Sequence, residues 1–160
     1  MSQSALAERA DISRRMIVGV ESGEANVSLS SLDRLAAALD VSFSELVRPP
    51  DAIDGRRIAS LAWRGNAPES TGTLLGTAPA AQEAELWVWS LGPGDRYPAE
   101  ADAAYWHEMI YVIEGTLTME LEDGDRIVTA GDFLVFRSDS TYAFRNDGAA
   151  VLRFVRNVVY

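Results

Sequence analysis

The hydrophobic period of this chain changes once, at Pro49-Pro50, and nothing else in the sequence constrains the fold as strongly. Before the prolines, apolar residues recur at helical spacing. Beyond them, apolar and polar residues alternate in short runs separated by turn signals. A segment patterned for helices will not settle as a sheet, nor the reverse, so the chain is expected to form two domains in sequence. A length of 160 residues accommodates two small domains and no more. The expected boundaries are 1–48 for an all-α domain, 49–57 for a linker and 58–160 for an all-β domain.

In the first part, Ser2 is expected to cap a helix through Ala10, with Leu6 and Ala10 on one face. Ser13 caps a second helix through Glu21, where Met16, Ile17 and Val20 form an apolar stripe and Gly23 ends the run. A third begins at Ser30 or Ser31 and carries Leu32, Leu35, Ala36 and Leu39. The stretch Val41–Val47 adds a last turn before the prolines stop helical structure. Two short helices joined by a tight turn suit a helix-turn-helix, whose second helix enters the major groove of DNA.

In the second part, strands are expected at Ile58–Trp63, Thr73–Thr77, Glu85–Leu91, Glu108–Ile113, Thr116–Leu121, Arg126–Thr129, Phe133–Phe136, Thr141–Arg145 and Val151–Val159. Turn signals divide them, among them Gly92-Pro93-Gly94, Asp123-Gly124-Asp125 and Asn146-Asp147-Gly148. Many short strands at this spacing imply a sandwich or barrel. The small, polar stretch Gly65–Thr77 has no firm assignment, and Tyr97, Tyr105 and Trp106 fall on a loop.

Composition removes most chemistry. With no cysteine, the chain has no disulfide, thiolate metal site or cysteine nucleophile. All 14 basic residues are arginine, which excludes a Schiff-base lysine, and the single histidine, His107, excludes any histidine pair. No apolar run approaches the roughly 18 residues of a membrane span, and no secretory signal follows Met1. The expected location is cytoplasmic, with no membrane partner. Net charge is −10, divided as −2 over residues 1–50 (5 Arg, 7 acids) and −8 over residues 51–160 (9 Arg, 17 acids). That balance weighs against nucleic-acid binding unless a specific motif outweighs it.

Such a motif is present. The run from Ser2 to Leu46, through Ser2-Gln3, Leu6-Ala7, Ile12-Ser13-Arg14, Ile17, Val20-Glu21, Gly23, Asn26, Ser28-Leu29 and Leu35-Ala36, resembles the helix-turn-helix of the XRE family of bacterial transcription regulators. The resemblance implies base contacts from Ser13, Arg14, Arg15 and Val18, and further DNA contacts from Gln3 and Asn26. Val18 and Val27 depart from the residues common in the family. The family domain also opens with a further helix, and this chain begins where that helix would already have ended. Its first helix is therefore expected to be missing, leaving the apolar faces of Leu6 and Val20 exposed.

The β part carries a second resemblance. Glu108 and Gly115 have six residues between them (EMIYVIEG), and Gly131 is followed after ten residues by Tyr142 and after three more by Asn146. These spacings are similar to the two motifs of the cupins, jelly-roll barrels built as a double-stranded β-helix. In metal-binding cupins the ligands are three histidines and a glutamate. Carried over by position, they are Asp102, Ala104, Glu108 and Tyr142, so only the glutamate remains. His107 neighbours Glu108 on a strand and faces the other way, as a surface or interface residue.

With Glu108 inward, Ile110, Val112, Tyr142 and Phe144 are inward too. The expected effector site is Glu108 and Tyr142 with Asp102, Arg137, Trp89 and Phe144, suited to a small ligand carrying an amine or hydroxyl. No metal site, cofactor or catalytic residue is expected. The two resemblances together imply a transcription regulator that binds a double-stranded DNA operator and senses an unidentified small-molecule effector. Its homodimer would form through the barrel face bearing Met109, Tyr111 and Ile113. Two alternatives remain open: a cupin enzyme of isomerase or dioxygenase class with a vestigial helical arm, and a metal-free scaffold without a ligand.

Overall fold

The computed structural model describes residues 1–25, 27–50 and 57–160. The chain divides into two compact units, Met1–Pro50 and Asp51–Tyr160. Most of the expected linker, like Asn26, lies outside the described residues.

The first unit contains α1 (Gln3–Arg9), α2 (Arg14–Ser22), α3 (Leu29–Leu39) and α4 (Phe43–Val47). Each opens on a serine outside the helix, whose hydroxyl accepts the backbone N–H three residues on. The pairs are Ser2 with Ala5, Ser13 with Met16, Ser28 with Ser31 and Ser42 with Glu45, each at 3.2 Å. Helix α3 thus begins earlier than the expected Ser30 or Ser31, because Ser28 is the cap and also bonds both of those hydroxyls. Glu45 closes a capping box by accepting from the Ser42 N–H at 2.9 Å. Gly23 ends α2 in the left-handed region at φ 74°, where a Cβ would be strained.

Ala7, Ala10, Ile17, Leu35 and Ala38 form the core of this unit. Leu6 and Val20, expected to be exposed, are instead partly buried against it, together with Ile12, Leu32 and Leu46. Arg9 reaches from α1 to Asp40 at the end of α3, at 2.8 Å.

The second unit is two antiparallel sheets. The larger runs β1 (Arg57–Arg64), β2 (Thr71–Pro79), β3 (Glu83–Leu91), β10 (Leu152–Val159), β5 (His107–Glu114), β8 (Phe133–Arg137). The smaller runs β4 (Arg96–Ala99), β9 (Tyr142–Arg145), β6 (Thr116–Glu120), β7 (Arg126–Thr129). Alternation holds where the sequence shows it: along β5, Glu108, Ile110 and Val112 are buried while Met109, Tyr111 and Ile113 are exposed.

Two expectations need correction. Tyr97 is on strand β4 rather than a loop, and is buried with its ring 4.7 Å from Trp89 and 5.2 Å from Trp63. The unassigned Gly65–Thr77 stretch follows β1 and forms the first part of β2. There Gly72 pairs with Trp89, and a Cβ at Gly72 would stand 2.8 Å from the indole. A residue without a side chain is what lets the tryptophan lie flat across its neighbour.

Candidate functional site

Strand pairing brings three polar side chains together inside the barrel. Glu108 on β5 and Arg156 on β10 project from neighbouring strands of the larger sheet, and Tyr142 comes from β9 of the smaller one. Arg156 Nε donates to Glu108 Oε2 at 2.8 Å, and its Nη2 donates to Glu108 Oε1 and to the Tyr142 hydroxyl, the latter at 3.0 Å. The Tyr142 O–H in turn donates to Glu108 Oε1 at 2.5 Å. Glu108 is fully buried, and Arg156 nearly so. The guanidinium carbon lies 5.6 Å from the Trp87 ring and 5.8 Å from Trp89 and Phe144, so π faces surround the cation.

Burial alone would lower the Arg156 pKa. The Glu108 carboxylate and the Tyr142 oxygen more than offset this, holding the guanidinium charged well above its ordinary value. Burial is likewise the main reason the Tyr142 phenol is raised and stays neutral.

Arg156 is absent from the site expected from sequence, although its signal is present there. In Leu152–Val159 every second residue, Leu152, Phe154 and Val158, is a buried apolar one, and Arg156 falls in that series. A charge on a core face demands an opposite charge facing it. Glu108 and Tyr142, expected to offer their polar atoms to a ligand, satisfy each other and Arg156.

The other expected barrel residues divide. Asp102, on the connection from β4 to β5, is half-buried; its backbone N–H donates to Ser138 O at 2.8 Å. Asp102 Oδ2 and the hydroxyl of fully buried Ser138 each lack a partner of hydrogen-bond geometry. Burial pushes the Asp102 carboxyl up, with the Ser138 hydroxyl beside it working the other way; Glu108 raises it further and Arg156 opposes. Arg137 does not join this group: it is exposed and paired with Asp139. Trp89 and Phe144 are core, stacked among Trp63, Trp87, Tyr97 and Phe154. His107 is exposed, its Nδ1 2.9 Å from Tyr105 O, opposite in direction to Glu108.

A second buried acid has no counterpart among the expected site residues. Glu85 accepts from the Trp87 indole N–H at 2.8 Å and lies 3.0 Å from the Tyr160 hydroxyl, which also reaches Glu83 at 3.1 Å. Burial raises its pKa, against the pull of Trp87, Arg156 and Tyr160.

Cupins commonly hold a divalent metal, and the residues here do not fit one. Both oxygens of Glu108, the one family ligand retained, are engaged by Arg156, which carries its own positive charge into the same space. Among the described residues no three His, Cys, Asp or Glu side chains are arranged to hold an ion. Tyrosine and a single carboxylate are poor substitutes for a histidine set.

In the helical unit, Ser13 caps α2, and Arg14, Arg15 and Val18 follow on its exposed side, Val18 at 45% exposure. Gln3, at the start of α1, donates to Glu21 near the end of α2 at 2.6 Å. That bond uses one N–H of the Gln3 amide and leaves its second N–H and its Oε1 for a further contact. Among the described residues no helix is long and apolar enough to cross a membrane.

The helix-turn-helix family model matches residues 1–46 and the cupin domain model residues 87–158. No curated protein matches. Among solved structures, an HTH_3 family transcriptional regulator from Vibrio cholerae is 22% identical with a TM-score of 0.68, covering 100% of this chain and 87% of its own. The protein TT1209 from Thermus thermophilus is 12% identical with a TM-score of 0.51, covering 60% of this chain and 88% of its own. The cupin domain of an XRE family regulator from Enterobacter cloacae is 20% identical with a TM-score of 0.49 over 61% of this chain and 93% of its own. The two domain matches, in this order, give the chain an XRE-type helix-turn-helix domain followed by a C-terminal cupin domain.

Proposed function

We propose that this cytoplasmic regulator reads operator DNA through α2 and changes its DNA affinity when a small organic effector binds the barrel without a metal. The observation that carries the DNA reading is the exposed amino-terminal end of α2, where a capped helix presents Arg14 and Arg15 side by side. Arginine makes bidentate contacts to guanine, and the family resemblance assigns Ser13, Arg14, Arg15 and Val18 to base edges and Gln3 and Asn26 to further DNA contacts. The net charge of the first unit is only −2, so most of the acidic surplus belongs to the barrel residues.

The reading as regulator rather than enzyme is supported by the barrel chemistry. Its one inherited acid is neutralised by Arg156 and has no free oxygen with which to move a proton. The operator is read as two half-sites by a homodimer, joined through the outer face of the larger sheet. On that face Tyr111 pairs with Phe133 and Met109 with Val135; with Ile113 they form an apolar patch, Phe133 at 66% exposure and Tyr111 at 51%. Light scattering of the full chain should give a dimer mass, and Tyr111→Arg with Phe133→Glu a monomer.

The test of DNA binding is fluorescence anisotropy with DNA from upstream of the protein's own coding sequence, across a salt series. Specific, salt-sensitive binding is expected. Binding that is absent, or indifferent to sequence, refutes the reading.

A further inference from the structure

We infer that Glu83, Tyr160 and Glu85 form a proton-dependent latch, shut while Glu85 carries a proton and opened when that proton leaves. The part it fastens is Trp106, and with it the connection from β4 to β5.

The first observation is a count of hydrogens. The Tyr160 hydroxyl lies 3.0 Å from Glu85 Oε1 and 3.1 Å from Glu83 Oε2. Two contacts join these three oxygens, and a phenol brings one hydrogen. With both carboxylates ionised, that single O–H would face two negative charges in a largely buried place. Two acids that share a site do not ionise together, and one of them keeps its proton. One further hydrogen closes the arrangement. Glu85 Oε1–H donates to the phenol oxygen, and the phenol O–H donates to Glu83 Oε2. Glu85 Oε2 stays an acceptor for the Trp87 indole N–H at 2.8 Å.

The second observation decides which acid holds the proton. Glu85 is 6% exposed, whereas Glu83 is half-buried. The charged groups acting on Glu85 are Arg156 from β10 and Glu83 from its own strand. Its partners in register, Thr77 on β2 and Val158 on β10, do not titrate. Arg156 spends its Nε and Nη2 on Glu108 and Tyr142, and acts on Glu85 through space. Burial therefore dominates and lifts the Glu85 carboxyl above its ordinary 4.5. Burial and the two glutamates also push the Tyr160 phenol up, so it keeps its own hydrogen.

The third observation is what the phenol carries. The Tyr160 ring stacks on Trp106 at 3.9 Å. The Tyr160 backbone is paired with Glu83, its N–H donating at 3.1 Å and its O accepting at 3.0 Å, so the side chain is the part that can turn. Trp106 O accepts from the Ser138 N–H at 3.2 Å, which ties the connection to the end of β8. Just before Trp106, Tyr105 has φ 73°, a strained conformation that persists only while its neighbours are pinned. Ionised Glu85 repels Glu83 across the phenol oxygen. The ring then leaves Trp106, and the turn at Tyr105 is free to relax. Because Glu85 keeps its proton to a higher pH than an ordinary carboxyl, the latch is shut on the acid side and open on the alkaline side.

The experiment titrates the full chain by NMR from about pH 4 to about pH 9, a span that covers buried carboxyls. Side-chain carboxyl carbons report Glu83 and Glu85, and the Trp106 ring protons report the stack through the ring current of Tyr160. Glu85 is expected to titrate above 4.5 and after Glu83, with the Trp106 protons moving downfield at the same midpoint. Acrylamide quenching of tryptophan fluorescence should rise across that step while far-UV circular dichroism stays constant. Glu85→Gln offers an N–H to the phenol at every pH, so Trp106 should remain stacked throughout. Tyr160→Phe keeps the ring and removes the oxygen, so the Trp106 protons should no longer follow Glu85. Trp106 protons that do not move in this range, a Glu85 that titrates at or below 4.5, or a Trp106 step that survives Glu85→Gln overturns the inference. The titration of the unaltered chain decides by itself if a variant fails to fold, and no result depends on DNA or effector binding.

Discussion

In the helical domain, Ser13, Arg14 and Arg15, proposed to act on DNA, sit on the surface and make few bonds to the rest of the fold. In the barrel, the polar residues at the family's site positions lie in the core and are bonded mainly to one another. Arg14 and Arg15 are exposed on one turn of helix, whereas Arg156 is enclosed by Glu108, Tyr142 and three aromatic rings. The two arrangements have different energetic consequences. An exposed arginine is solvated whether or not a partner is present, so its loss touches binding and leaves folding alone. A buried arginine is stable only while its carboxylate faces it, so there function and stability cannot be altered separately.

The largest effect should therefore come from breaking the buried pair. Arg156→Met leaves Glu108 as an unpaired carboxylate in an apolar core and should cost about 3–5 kcal/mol of unfolding free energy. The double variant Arg156→Met with Glu108→Leu removes both charges and should recover much of that loss. Urea denaturation of the three proteins measures it. A single variant as stable as the original would mean the pair is solvated after all.

The matching change in the other domain is Arg14→Ala. It should leave the urea midpoint unmoved and reduce discrimination between operator and mismatched DNA by about 1–3 kcal/mol, the range for one bidentate base contact. Anisotropy against both DNAs checks this. A change in stability, or uniform weakening on all sequences, would make Arg14 a structural or phosphate-binding residue and erase the contrast between the domains.

The same contrast explains what could be read in the sequence. Serine caps act on N–H groups three residues away, so α1 and α2 start where Ser2 and Ser13 announce them. Helix α3 has a run of candidate serines at Ser28, Ser30 and Ser31, and spacing alone does not choose among them, while α4 opens at Phe43 after its Ser42 cap, two residues past the expected Val41. In the barrel, alternation correctly turns Glu108, Ile110, Val112, Tyr142 and Phe144 inward. What alternation leaves open is which residue from a distant strand arrives opposite. Arg156 reaches Glu108 because β10 lies between β3 and β5, a neighbourhood set by topology across 48 residues of chain. Arg137 illustrates the converse: motif position groups it with the site, yet it is exposed and pairs locally with Asp139. Strand β4 escapes notice because it is four residues long and contains Pro98, a weak strand signal.

A local signal should also have a local cost. Ser42→Ala removes the hydroxyl that accepts from the Glu45 N–H and half of the capping box, and should destabilise by about 1 kcal/mol. The Glu45 carboxyl is held below its usual range mainly by the Ser42 backbone N–H, then by the Ser42 hydroxyl, so its titration followed by NMR should move up toward the ordinary value in the variant. An unshifted Glu45 would show that the Ser42 hydroxyl does nothing to hold that carboxylate in solution.

The smallest expected effect is confined to part of the pH range and concerns Glu85. Its carboxyl is buried beside Trp87, Tyr160 and Glu83, with Arg156 the cation in electrostatic reach, and burial raises its pKa above the ordinary 4.5. A carboxyl whose pKa is higher folded than unfolded binds its proton more tightly in the folded state. Well below 4.5 both states are protonated and Glu85 is neutral to stability. As pH rises from there through the raised folded value, the unfolded chain ionises first, and stability is lost until the folded carboxyl also ionises. Glu85→Gln retains an oxygen for the Trp87 N–H and removes the ionisation. The variant should therefore match the original protein at acid pH and exceed it modestly near neutrality. Thermal melts at closely spaced pH values measure the difference between the two curves. Parallel curves would mean that water or the Tyr160 hydroxyl solvates Glu85 as well as bulk solvent does, and that Glu108, fully enclosed with Arg156, is the buried acid whose neutralisation the fold requires.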